Sequence, residues 1–224
     1  MSRLSTLIEL LHGVPQAALA TLSASMPGYP FATAVPFALD SQHRPVLLIS
    51  KLAEHSRNLA QDPKASLVVS QTLGKGEITR ATLVGEMVPI EATPDWTARY
   101  LRYQPDAELF LQLGDFSFAR MEVLRIQIIG GFAKATWLEG KAFLDVNPLR
   151  LDQESPLLDE LGSLLSTHER LLGLDAYGAD VMIHGTRQRL TFQPSPVLAE
   201  AIPKAFVNAI QRHRKSMATA GEGA

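Results

Sequence analysis

Between residues 17 and 137 the chain is cut into short β-type runs by turn chemistry, and this punctuation limits the fold more than any other feature. Runs over residues 17–23, 31–39, 45–50, 65–71, 80–90, 122–129 and 132–137 are parted by Pro27-Gly28-Tyr29-Pro30, Asp40-Ser41-Gln42-His43-Arg44, Gly74-Lys75-Gly76 and Gly130-Gly131. The first three runs, joined by tight turns, predict an antiparallel meander. Gly85, inside the longest run, predicts a bulge or a close backbone approach. Helices are few. Leu4, Leu7, Ile8 and Leu11 recur at helical spacing behind Ser2, a candidate N-cap. Residues 52–62, 94–103 and 105–113 supply three more, the last two opened by prolines. Six or seven strands with so few helices predict a barrel-like sheet.

Periodicity is lost over residues 141–154, where Asn147-Pro148 favours a turn. This places one domain over residues 1–145 and a smaller one over residues 155–216. In the second, Leu157, Leu158, Leu161, Leu164, Leu165, Leu171 and Leu172 predict an apolar helical face. Residues 179–183 and 188–192 flank His184-Gly185-Thr186-Arg187 as a hairpin, and residues 196–214 form a closing amphipathic helix. The last eight residues read as a frayed tail.

Cysteine is absent, so disulfides, thiolate nucleophiles, Cys-ligated zinc and iron–sulfur clusters are excluded. A net charge of −2 gives no electrostatic footprint for nucleic acid. No run reaches the roughly 18 apolar residues of a membrane helix, and Met1-Ser2-Arg3-Leu4 does not open a secretory signal. A cytoplasmic location away from membranes is the expectation.

Chemistry concentrates in Ile49-Ser50-Lys51-Leu52-Ala53-Glu54-His55-Ser56-Arg57-Asn58. This stretch runs from a strand end into the first turn of a helix, where backbone N–H groups point outward and two cations stand beside hydroxyls, an imidazole and an amide. That combination suits a phosphate. The same residues also read as an ordinary helix cap, through Ser50 or Ser56, with solvated charges beside it. No Gly-x-Ser-x-Gly elbow, Walker spacing or His-x-x-Glu-His pattern competes.

Pro30-Phe31-Ala32-Thr33-Ala34-Val35-Pro36, residues 48–59, Asp62-Pro63-Lys64-Ala65-Ser66-Leu67-Val68-Val69 and Gly130-Gly131-Phe132-Ala133-Lys134-Ala135 occur in the order found in the haem-utilisation branch of the pyridoxamine 5′-phosphate oxidase-like family. The chain resembles that family over about residues 1–145. The resemblance implies an α+β fold, namely an FMN-binding split β-barrel, mostly antiparallel, with a small C-terminal α/β domain. It implies a homodimer with FMN at the subunit interface and a small-molecule ligand beside the cofactor, in a pocket shaped by the Gly130-Gly131 loop. Phosphate contacts would come from Ser50, His55, Ser56, Arg57 and Asn58. Thr33, Ala34 and Val35 would run along the flavin ring, and Arg80 and Thr82 would contribute from a further strand.

The family's usual Gly-Gly-Phe-Gly is here Gly-Gly-Phe-Ala, and the residues that grip pyridoxal phosphate in the oxidase proper are missing, so that reaction is not expected. The activity implied is a flavin-dependent oxidoreductase. The alternative is a haem-binding or haem-degrading protein, whose C-terminal unit resembles the family's through residues 175–180 and 189–192. His168, His184 and His213 are then the candidate iron ligands, each standing alone in the sequence. A third reading is a dimeric scaffold without catalysis.

Overall fold

Ser2 opens the first helix, its hydroxyl accepting the Ser5 N–H at 3.0 Å. The computed structural model describes residues 2–72, 78–130, 134–144 and 148–221. Helix α1 (Arg3–Gly13) buries Leu7, Ile8, Leu10 and Leu11. Then follow β1 (Gln16–Leu22), β2 (Pro30–Pro36), β3 (Ala38–Leu39), β4 (Pro45–Ser50), α2 (Glu54–Gln61), β5 (Lys64–Thr72), β6 (Ile78–Pro89), α3 (Pro94–Tyr103), α4 (Ala107–Leu111), β7 (Phe116–Gly130), β8 (Lys134–Glu139) and a 3₁₀ turn (Gly140–Phe143).

These strands form one antiparallel half-barrel sheet in the order β2-β1-β5-β6-β7-β4-β3, with β8 also pairing β7. β6 shows how the sequence builds it. Thr79, Ala81, Leu83 and Met87 are buried, while Ile78, Arg80, Val84 and Glu86 face out, the alternation of a sheet covered on one side. Leu19, Leu67, Leu83, Met121 and Ile126 are fully buried in the core beneath α1, each side chain contributing about 1.5–3 kcal/mol by leaving water. At Gly85 the register shifts, and a Cβ there would run into the Glu122 carbonyl oxygen. The glycine thus allows the close approach that bends the sheet.

The structure revises several expected boundaries. Residues 31–39 split into β2 and β3. β7 starts at Phe116 rather than at residue 122, because residues 116–120 pair with β4. α4 keeps only five residues of the expected helix over 105–113. Gly74-Lys75-Gly76 and residues 131–133 lie outside the described residues.

The chain divides between residues 146 and 147. The C-terminal unit contains α5 (Leu151–Gly162), β9 (Glu169–Leu174), β10 (Gly178–Ile183), β11 (Thr186–Thr191), a 3₁₀ turn (Ala199–Ala201) and α6 (Ile202–Gly221). Leu171 and Leu172, read above as helical, sit in β9, so the expected hairpin is a three-stranded sheet of order β11-β10-β9. The expected frayed tail is partly helical, since α6 runs on to Gly221. Leu161, Leu174, Val181, Phe192, Phe206 and Ile210 build a separate core. Beside it the Arg189 guanidinium donates to Asp175 at 2.7 Å and to the fully buried Asp180 at 3.3 Å, so each buried charge has a partner. Among the described residues no helix is long and apolar enough to cross a membrane.

Candidate functional site

β4 delivers the chain to a tight turn that its own residues fasten. The Lys51 N–H donates to the Asp115 carbonyl at 2.8 Å, and the Ser50 hydroxyl donates to the Asp115 carboxylate at 2.5 Å while accepting the Leu52 N–H at 3.1 Å. Ser50, an expected phosphate contact, thus uses its hydroxyl to hold the turn. α2 then starts at Glu54 with Ala53 as N-cap, and no side chain caps it. That leaves the helix start, with its partial positive charge, open to an external acceptor.

Asn58 is fully buried, and both ends of its amide are used. It donates to Thr21 Oγ1 at 2.9 Å and accepts the Ala24 N–H at 2.8 Å. Its side chain thus ties α2 to β1 and to the turn beyond. Arg57 bonds the Leu52 carbonyl at 2.9 Å and lies 3.7 Å from Glu54, with most of its side chain exposed.

Ser56 and His55 differ from their neighbours. The Ser56 hydroxyl and the His55 Nε2 are buried and have no hydrogen-bond partner among the described residues. A buried polar atom without a partner costs about 1–3 kcal/mol, so each such group calls for a reason, a water or a bound ion among them. Burial also lowers the His55 pKa, which favours the neutral imidazole.

A cavity of about 330 Å³ opens between α2 and the ends of β4, β6 and β7, lined by Ser56, Arg57 and Lys51 on its polar side and by Ile49, Met87 and Phe118 on its apolar side. An anionic group at its polar side would accept a hydrogen bond from Ser56 and pair with both cations. The residues present therefore fit the anionic end of a cofactor such as FMN.

The remaining expected residues lie elsewhere. β2 is an edge strand bracketed by Pro30 and Pro36, which block further strand pairing. In it Thr33 is half-buried, Ala34 faces out and Val35 is in the core. Ala34 begins an outer row that crosses Ala18, Val68, Thr82 and Gln127 to Trp137. The Arg125 guanidinium lies over the Trp137 ring, 4.1 Å from its centre. Arg80 and Thr82 share this outer face. Pro89, which lines the cavity, is nine positions along β6 from Arg80, about 30 Å on an extended strand. The structure does not bring Arg80 to that cavity.

A second cavity of about 310 Å³, lined by Tyr100, Gln104, Phe110 and Phe116 among others, had no sequence signal. In the C-terminal unit His168 and His184 are stacked at 5.5 Å, so neither stands alone, while His213 lies on α6.

The family model for the CREG β-barrel matches residues 8–145. The chloroplastic heme oxygenase HOZ of Arabidopsis thaliana is 34% identical over 139 residues, which cover 60% of this chain and 43% of that protein. The chain thus spans less than half the length of that relative. A solved heme binding protein from Mycobacterium smegmatis shares 23% identity at a TM-score of 0.60, over 96% of this chain and 98% of that one. A protein of unknown function from Agrobacterium tumefaciens shares 24% identity at a TM-score of 0.68, over 93% and 92%. These two share the fold. With the half-barrel sheet in place and the match running from α1 to the end of the barrel unit, the chain belongs to the CREG β-barrel family, within the FMN-binding split-barrel superfamily.

Proposed function

We propose that the barrel unit binds FMN and works as a flavin-dependent oxidoreductase. The observation that carries this reading is the cavity whose polar side is formed by Lys51, Ser56 and Arg57, where the buried Ser56 hydroxyl has no hydrogen-bond partner among the described residues. Ser56 donates to the phosphate, the two cations balance its charge, and the uncapped start of α2 adds backbone donors. Ser50 and Asn58 hold this segment in place. The flavin supplies the electron-transfer chemistry, and the protein supplies binding and orientation. Ile49, Met87 and Phe118 give apolar walls to a small-molecule ligand beside the cofactor.

This reading includes a homodimer through the outer sheet face. Val68, Val84 and Trp137 are 36%, 41% and 45% exposed there, among the small side chains of Ala18, Ala32 and Ala34, a surface apolar enough to favour burial. Arg80 and Thr82 join a cofactor site only if a second copy presents them, since the strand spacing separates them from the cavity of their own chain.

The second reading is haem binding or haem degradation. It is favoured by the 34% identity to a heme oxygenase, and by His55, a neutral buried imidazole with an unpartnered Nε2. Lys51 and Arg57 would pair with haem carboxylates as they would with a phosphate.

The test is an absorbance spectrum of the purified protein before and after adding FMN or haemin, each followed by desalting. Retained flavin bands, weakened about tenfold or more in affinity by the combined Ser56→Ala and Arg57→Ala variant, support the first reading. A retained Soret band alone moves haem to first place. No uptake of either at tens of micromolar leaves the dimeric scaffold.

A further inference from the structure

His168 ends the chain's approach to β9 and His184 follows β10, so the antiparallel pairing of those strands sets the two side by side. The His184 N–H donates to the His168 carbonyl at 3.1 Å. Their exposed rings lie 5.5 Å apart at an interplanar angle of 25°.

The backbone at His184 is unusual. β10 and β11 are joined by His184 and Gly185, at φ of 47° and 77°. A two-residue hairpin turn with both φ positive is of type I′, which favours Asn-Gly. Histidine, like asparagine and aspartate, is among the residues that enter this left-handed region most readily. The turn thus holds the His184 ring against that of His168. Histidine offers what asparagine does not, an imidazole nitrogen that binds transition metals.

We propose that His168 and His184 form a two-imidazole site for one divalent late-transition-metal ion, Cu²⁺, Ni²⁺ or Zn²⁺, with water completing the coordination. Metal–nitrogen bonds of about 2.0–2.1 Å at square or tetrahedral angles place the centres of two imidazoles about 4.5–5.2 Å apart. The observed spacing is close to that range, and because both rings are exposed, side-chain rotation turns a nitrogen of each from the stacked arrangement toward one ion. Imidazole ligands select these ions over Mg²⁺ and Ca²⁺, which take oxygen donors, and Cu²⁺ binds most tightly. On the neighbouring Glu169, Oε2 accepts the Ser166 N–H at 2.9 Å and Arg214 at 2.7 Å.

The experiment is a Cu²⁺ titration of the full chain by calorimetry and electron paramagnetic resonance, on wild type, His168→Gln, His184→Asn and the double variant. The double variant measures the background from the other four of the six histidines. Wild type is expected to bind one more ion than the double variant, with two nitrogen ligands, and each single variant to lose about tenfold or more in affinity. His184→Asn restores the preferred turn residue, so its metal-free Tm should match or exceed that of wild type, while Cu²⁺ raises the Tm of wild type only. Cu²⁺ affinity unchanged in both single variants overturns the proposal. A haemin Soret shift that disappears in either variant while Cu²⁺ affinity holds also overturns it, assigning the pair to porphyrin iron.

Discussion

Replacing Asn58 by alanine cuts both hydrogen bonds that fasten α2 to β1 and to the turn after it. Thr21 is 3% exposed, so its hydroxyl is left in a dry site, and the Ala24 N–H is left part-buried. A buried group losing its partner costs about 1–3 kcal/mol. Adding the smaller loss at Ala24 and the gap left by the amide, we expect about 2–4 kcal/mol. Both tryptophans, Trp96 and Trp137, lie in the barrel unit, so their fluorescence in urea follows that unit without signal from the other. The midpoint should fall with the slope unchanged. Thr21→Val removes one of the two bonds and should cost about 1 kcal/mol. Because Thr21 does not line the cavity, a fall in FMN affinity in Thr21→Val would show that Asn58 works by positioning α2. A loss below about 1 kcal/mol in Asn58→Ala would refute the reasoning.

Ser56→Ala removes a buried hydroxyl that has no partner, so the cofactor-free protein should be as stable as wild type or up to about 1 kcal/mol more stable in the same urea assay, while FMN affinity falls. Gly85→Val forces a side chain into the Glu122 carbonyl and should destabilise the barrel by about 3 kcal/mol or more, seen as loss of the cooperative fluorescence transition. His55 has its folded-state pKa lowered by burial. Its contribution is present above the unfolded pKa of about 6.5 and is lost as pH falls through the folded value. Wild type should therefore lose more stability than His55→Gln between pH 7 and pH 5, and equal losses would reject the assignment. Val84→Glu places a charge on the outer sheet face and should shift a dimer to monomer in analytical ultracentrifugation, without unfolding it.

Features carried by neighbouring residues were legible in the sequence. The bend at Gly85 could be read because a lone glycine interrupts an alternating strand, and the donor-rich segment from Ser50 to Asn58 because its groups are contiguous. Division of labour within that segment was not legible. Whether Asn58 touches a ligand or Thr21 depends on how β1 lies against α2, which local spacing does not encode. β9 was hidden because Leu171 and Leu172 continue the spacing of Leu164 and Leu165, so the helical period masked a strand. The beginning of β7 was hidden for a related reason, since residues 116–120 gain their strand identity by pairing with β4. His168 and His184 each looked isolated because only the β9–β10 pairing joins them.

That same β7 has a consequence for how the protein is made. Val46 pairs with Arg120, and Pro89 with Ala119, so β4 leaves the ribosome well before the strand that covers its edge. At synthesis rates of about 5–20 residues per second the wait is about 4–15 s. During it, Pro-Val-Leu-Leu-Ile of β4, every residue of which ends buried, is an open apolar edge on a nascent chain. Such a segment pairs readily with strands of other chains. Production of this protein should therefore depend on holdase chaperones while β4 waits, and slowing translation between residues 50 and 116 should lower the soluble yield without any change in the finished fold.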